Sequence, residues 1–137
     1  MAAYTKVTAG VEGLLEQINA GSDQWAFALA ASAPATPTFS AGTTDLATGG
    51  GYTQGGTNVA TTSATQSGGT FTLILATPTT WTASGGGFTF RYVLLVNKTN
   101  NLVPGYWDYG SSVTMNGSNG DTFDFTPDAV NGVFQVT

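Results

Sequence analysis

The sequence predicts a mainly β protein, either an antiparallel β-sandwich or a jelly-roll-like barrel, with one short N-terminal helix. Short runs of alternating apolar and polar residues recur through the second half of the chain, and glycine-rich turns separate them. Threonine is frequent, and its branched β-carbon favours an extended backbone. At 137 residues the chain fits a single domain, 1–137, with one core.

The helix is predicted over residues 9–19. Its apolar residues fall at helical spacing, with Thr8 as the N-cap and Gly21 as the stop. The four apolar positions are Val11, Leu14, Leu15 and Ile18.

A first strand is predicted over residues 24–30. Trp25, Phe27 and Leu29 alternate with smaller or polar residues, which indicates a strand with one buried face. Residues 33–69 then consist mostly of Ala, Pro, Thr, Ser and Gly. We expect 33–57 to form an extended loop or arm, of which 33–48 runs over the surface or onto a neighbouring chain, and 58–66 to form an edge strand.

Later strands are predicted wherever alternation returns between turn residues. They are 70–76, 88–97, 102–109, 112–115, 122–125 and 133–137. In the second of these, residues 88, 90, 92, 94 and 96 are assigned to one face and the intervening residues to the other. Both faces become apolar toward its end, which indicates a central strand covered by the opposing sheet and by the helix.

Charge composition excludes several functions. Only 8% of residues are charged, the net charge is −5, and the cations are Lys6, Arg91 and Lys98. Because binding a phosphate backbone requires clustered cations, we expect no direct contact with nucleic acid. No apolar run is long enough to span a membrane, and the N-terminus lacks a signal-peptide pattern, so we expect synthesis in the cytoplasm.

The chain has neither cysteine nor histidine. Disulfides, thiolate nucleophiles, histidine bases and the commonest metal ligands are therefore absent from the sequence. The remaining groups are carboxylates, among them Asp108, Asp121, Asp124 and Asp128, which are open to a calcium or glycosidase interpretation. We favour turn capping, and we expect no enzymatic activity, no metal and no cofactor.

The aromatic residues allow two interpretations. Tyr106, Trp107 and Tyr109, with Tyr52 and two tryptophans, suit a platform for stacking sugar rings, or else core and subunit contacts. Alternation puts Trp107 and Tyr109 on one face and Tyr106 on the other, which favours core and subunit contacts. The predicted core or interface anchors are Trp25, Phe90, Tyr92, Trp107, Tyr109 and Phe123.

The single arginine is predicted to form an ion pair. Arg91 lies within an apolar strand, where an unpaired guanidinium would be costly. We therefore predict a buried pair between Arg91 and Asp108.

Five motifs follow one another in the second half of the chain. They are the Trp-Thr-Ala-Ser-Gly-Gly-Gly at 81–87, the Phe-Arg-Tyr at 90–92, the Gly-Tyr-Trp-Asp-Tyr-Gly-Ser-Ser-Val-Thr at 105–114, the Gly-Asp-Thr-Phe at 120–123 and the Asn-Gly-Val-Phe at 131–134. In this order they resemble small structural proteins of tailed bacteriophages. The glycine-rich run at 50–56 and the strand around residues 25–29 are also similar. The resemblance covers about two thirds of the chain and implies a place in the virion.

This resemblance implies two functions. In the first, the chain is a capsid cement or decoration protein on the outer shell, and its partners are the major capsid protein and copies of itself. Low charge, absent catalytic groups and an arm that orders on docking agree with it. In the second, the chain is a tail, neck or host-adsorption component that presents its aromatic residues to a glycan.

Overall fold

The computed structural model describes residues 2–7 and 19–137, and ten strands lie within them. These are β1 Tyr4–Lys6, β2 Trp25–Ala30, β3 Thr57–Val59, β4 Thr61–Ser67, β5 Thr70–Leu75, β6 Thr79–Thr82, β7 Phe88–Asn97, β8 Leu102–Met115, β9 Thr122–Phe125 and β10 Phe134–Val136. A short 3-10 helix, Gly117–Asn119, joins β8 to β9. The predicted helix at 9–19 falls almost entirely outside the described residues.

The strands form three antiparallel sheets, which confirms the mainly β, sandwich-like prediction. The large sheet has the order β1-β8-β7-β2-β3, the second has the order β10-β5-β4, and β6 pairs with β9. One apolar cluster lies between them, with Trp25, Phe27 and Trp107 from the large sheet, Leu73 from the second and Phe125 from the third. We call the side of the large sheet that faces this cluster its inner face.

The prediction that β2 buries only one face is wrong. All six residues from Trp25 to Ala30 are buried. Trp25, Phe27 and Leu29 belong to the inner cluster, whereas the three alanines belong to a second cluster on the outer face. The alanines were assigned to a solvent-facing row because they are small. Small side chains are also required where another segment packs closely against a sheet face.

The prediction that β7 is a central strand covered on both faces is confirmed, but its face assignment is wrong. Phe90 and Val93 both lie in the inner cluster, whereas Tyr92 and Leu94 lie on the outer face. The pairing with β8 shifts register between Phe90 and Tyr92, and this irregularity interrupts the two-residue alternation.

The predicted strands at 102–109 and 112–115 are one strand, β8. The residues around Gly110 lie opposite Arg91, where the pairing of β8 with β7 is irregular. Gly110 has a φ of 83°, a value that suits glycine. The glycine therefore marks a bulge within the strand and not its end.

Two further strand predictions need revision. The predicted edge strand at 58–66 is divided near Ala60 between β3, at the edge of the large sheet, and β4, at the edge of the second. Strands β1 and β6 were not predicted. Strand β1 lies against β8 at Gly105, where a side chain would collide with the ring of Tyr4.

Candidate functional site: an uncharged strap across the large sheet

Residues 31–46 form a strap over the outer face of the large sheet. The strap leaves the end of β2 and pairs with the start of β8, where the Phe39 N–H donates to the Asn101 carbonyl at 2.8 Å and the Val103 N–H donates to the Pro37 carbonyl at 2.7 Å. It then returns to β2, where the Leu46 N–H donates to the Leu29 carbonyl at 2.8 Å. Because β8 and β2 lie on opposite sides of β7, the strap crosses the outer face between them.

Phe39 anchors the strap to this face. Its side chain is buried in the outer cluster with Ala28, Leu94 and Val103. Burying a phenylalanine removes a large apolar area from water, so Phe39 holds the strap by the same force that holds the core. Segment 33–57 therefore packs along its own domain in this structure.

A buried hydrogen-bond network holds the returning end of the strap. The Asp45 carboxylate is 6% exposed and accepts the Tyr52 hydroxyl at 2.5 Å, the Gly42 N–H at 2.7 Å and the Gly55 N–H at 2.7 Å. The Tyr52 hydroxyl in turn accepts the Leu29 N–H at 3.1 Å. Burial and the bond to Asp45 raise the pKa of Tyr52 far above its usual range. The network thus fixes the strap to β2 without placing any charge at the surface.

The outward side of the strap is neutral. Residues 31–44 contain no charged side chain, and most of them are exposed. They enclose a shallow cavity of about 180 Å³, lined by Ser32, Ala33, Pro34, Ala35, Thr36, Thr38, Thr43 and Thr44. Covering such a surface with another protein dehydrates no charged side chain, and the surface offers hydroxyl groups for hydrogen bonds at the rim.

The strap lies on the same face as an aromatic and charged patch. Tyr92 and Tyr106 pack edge to face at 5.5 Å and adjoin the outer cluster, and the Arg91 guanidinium lies 5.2 Å from the centre of the Tyr92 ring. Arg91 also donates two hydrogen bonds to Asp108, at 2.7 and 2.9 Å. This bidentate geometry holds the guanidinium in one orientation.

The Arg91–Asp108 pair is at the surface, so its predicted burial is wrong. The two side chains are 37% and 34% exposed. Asp108 pairs with Tyr92 and alternates with the inward-facing Trp107, so it lies on the outer face of the sheet. The hydrogen bond from Arg91, with a further bond from the Gly110 N–H, lowers the pKa of Asp108. The bond to Asp108 raises the pKa of Arg91. Water screens a pair with this exposure, and it contributes little to stability.

The six predicted anchors fall into two groups. Trp25, Phe90 and Trp107 are buried in the inner cluster, and Tyr109 and Phe123 pack half-buried against it. Tyr92 stands apart on the outer face. The aromatic residues considered for a sugar platform are likewise divided, because Tyr52, Trp81 and Trp107 are buried while Tyr106 is on the outer face.

Every aspartate in the chain accepts hydrogen bonds within the fold. Asp121 accepts the Asn116 N–H, as expected for turn capping, whereas Asp124 accepts the Thr80 hydroxyl across the β6–β9 pair. Asp128 caps its own loop through Val130 and Asn131, and Asp23 accepts the buried Asn97 amide. Among residues 2–7 and 19–137 no cluster of acidic side chains suits a metal ion.

Sequence reasoning missed the residues that hold the strap. Phe39 and Asp45 were assigned only to the extended loop or arm at 33–57, and Tyr52 was considered only as one of a group of platform or core aromatic residues. One signal was present: a single phenylalanine, a single aspartate and a single tyrosine stand in a long stretch of small residues. Isolated bulky or charged residues in such a stretch indicate the points at which it is fastened.

No helix in the described part of the chain has the length and apolarity needed to cross a bilayer. Comparisons with protein-family models, with curated proteins and with solved structures found no match to this chain.

Proposed function

We propose that this protein is a bacteriophage virion component, a capsid cement or decoration protein that binds the outer shell and stabilises contacts between capsomers. The motifs shared with small structural proteins of tailed phages direct the proposal to the virion. Its partners are the major capsid protein and further copies of the chain itself. It acts by contact alone, without catalysis, metal or cofactor.

The observation that carries the proposal is the strap. Residues 31–44 offer a neutral surface that is fixed in its middle by pairing with β8 and at its returning end by the Asp45 network. A surface that is already ordered loses little conformational entropy when it docks, so more of the contact energy appears as affinity. A cement protein must stay bound to the shell while the packaged DNA exerts pressure from inside. A preorganised contact suits that requirement.

The distribution of polar groups supports a structural role. All six aspartates hold turns, strands or the strap, so their carboxylates are committed to the fold. Acid–base catalysis requires groups positioned to exchange protons with a substrate. The aspartates of this chain accept hydrogen bonds from backbone and side-chain groups of the fold itself.

Copy number on purified particles tests the proposal. We expect a number on the order of hundreds, comparable with that of the major capsid protein, because a symmetric shell repeats one contact over its surface. Quantitative mass spectrometry against labelled peptides of both proteins measures it. A few copies per particle would contradict the shell position and favour the neck, tail or a fibre.

The aromatic patch favours the second candidate, a host-adsorption component that binds glycans. Tyr92 and Tyr106 present ring surface beside Arg91 and Asp108, a combination suited to stacking on a sugar and bonding its hydroxyls. Trp107 is buried and cannot serve in such a site. This candidate predicts that Tyr106→Ala abolishes adsorption to host cells while particle composition stays unchanged. Normal adsorption by that variant would show that the patch is not the glycan-binding site.

A further inference from the structure

We propose that two copies of this chain associate through β4, antiparallel and edge to edge, about a two-fold axis at Thr65. The pairing would join the β10-β5-β4 sheet of one copy to the same sheet of its partner. The inference deepens the proposed homo-oligomer by giving it a contact, and in that respect it rests on the proposed function.

The outer side of β4 is an open sheet edge. Strand β4 runs from Thr61 to Ser67 and pairs with β5 on one side, and no described residue pairs with its other side. It is longer than the other edge strands β1, β3 and β10. Exposed edges of this kind recruit additional strands unless charge, proline or irregularity prevents it.

The hairpin geometry shows which backbone groups are free to pair. Gly68 and Gly69, with φ of 57° and 86°, form a two-residue turn that sets Ser67 opposite Thr70. Ladder bonds to β5 then fall at Ser63, Thr65 and Ser67, so the N–H and C=O groups of Ala64 and Gln66 point to the open edge. A register shift between Thr61 and Ser63 interrupts the regular ladder there.

The regular part of the edge, 63–67, is centred on Thr65. Pairing with an identical strand about that centre would bond Ala64 to Gln66 of the other copy and set the two Thr65 side chains directly opposite each other. Ser63 would face Ser67 of the other copy. Small hydroxyl side chains are compatible with such cross-strand positions, and threonine pairs stabilise them.

The charge distribution allows a second copy at this edge more readily than elsewhere on the charged surface. The chain has a net charge of −5, so two copies repel over most of their surfaces. Strand β4 has no charged residue and no proline, so identical edges meet there without like charges in opposition. A two-fold contact also closes on itself, because it occupies the β4 edge of both copies.

Single-cysteine variants of the full-length chain test the register, because the natural sequence has no cysteine. Opposed Cα atoms in a non-hydrogen-bonded pair are about 4.5 Å apart, within the range that a disulfide spans. We expect Thr65→Cys to form a disulfide-linked dimer under mild oxidation with dissolved oxygen. Ser67→Cys is the matched control, on the same strand and face. Its Cα should lie about 14 Å from its counterpart and stay unlinked, but it should link when mixed with Ser63→Cys.

Sedimentation of the purified chain tests the association itself. The weight-average mass of the wild type should rise toward two chains with concentration. Thr65→Lys should weaken the dimer by about tenfold or more because it opposes two like charges, while Thr65→Val should keep it. A monomeric wild type, a dimer unaffected by Thr65→Lys, or equal linking of Thr65→Cys and Ser67→Cys would overturn the inference. These measurements use free protein, so their failure is distinct from a low copy number on particles.

Discussion

At the residue scale, a few polar side chains determine how the strap is held against the large sheet. Asp45 and Tyr52 form hydrogen bonds with each other and with three backbone N–H groups, and both side chains are buried. A buried polar group is costly when it loses one partner, so each member of such a network depends on the rest.

Tyr52→Phe should lower the free energy of unfolding by about 1–3 kcal/mol. The variant keeps the ring in the core but leaves the Leu29 N–H without its acceptor and Asp45 without one donor. Denaturant unfolding measures the loss. Tyr106→Phe, at a half-exposed ring, is the control and should change stability little; an equal loss in both variants would show that the network contributes nothing.

The pH dependence of stability should include a contribution from Asp128. Hydrogen bonds from the Asn131 backbone and side chain, and from the Val130 N–H, lower the pKa of this carboxyl in the folded chain. A lowered folded-state pKa stabilises the protein above the unfolded value of about 3.9, and this stabilisation is lost as pH falls through the folded pKa.

The variant Asp128→Asn keeps an acceptor but cannot ionise. The difference in unfolding free energy between wild type and variant should therefore be largest above about pH 4 and shrink as the solution becomes more acidic. Unfolding in denaturant at a series of pH values measures this difference. A difference that does not change with pH would contradict the assigned cause.

At the element scale, sequence periodicity predicted strands well and their irregularities poorly. Alternation located β2, β7 and β9 because large apolar side chains recur at strand spacing over most of each strand. The register shift near Arg91 and the bulge at Gly110 depend on the partner strand, and nothing in a single strand's sequence specifies them.

The strap shows a second limit of prediction from sequence, which is that contacts between separate segments leave no local pattern. Its backbone bonds go to β8, which lies far along the chain, and back to Leu29 in the preceding strand β2. No local sequence pattern predicts these bonds. The neutrality of its exposed side could be predicted from composition, but its position over the large sheet could not. Strand β1 was missed because a strand of three residues is too short to show a periodic pattern.

Gly105→Ala should loosen β1. An added methyl group collides with the ring of Tyr4, which packs against Trp107 with ring centres 4.9 Å apart. Such overpacking costs about 1–3 kcal/mol, and hydrogen exchange at residues 4–6 should accelerate. Gly86→Ala is the matched control, because open space surrounds that position. Unchanged exchange in Gly105→Ala would mean that β1 does not depend on this contact.

At the scale of the whole molecule, the strap contributes to stability and is also the proposed docking surface. Removing residues 33–48 would take away Phe39 and Asp45 and expose the outer cluster, so a failure of that deletion to bind particles would report unfolding. Point changes on the exposed side of the strap separate the two effects.

Ala35→Arg should reduce occupancy on particles by about tenfold or more, because an interface would bury its charge without a partner. The free energy of unfolding should stay close to that of the wild type, since Ala35 is exposed. Occupancy is measured by adding purified variant to particles that lack the protein. Val130→Arg, at a site 80% exposed and outside the strap, is the control. Equal occupancy of both variants would show that the strap is not part of the docking surface.

The most direct test of the central claim is a cryo-electron microscopy map of unmodified particles at a resolution that traces this chain. The account predicts density for the chain on the outer shell, repeated at the joints between capsomers, with the strap facing the major capsid protein. Density confined to the neck, the tail or a fibre, with none on the shell, would contradict it.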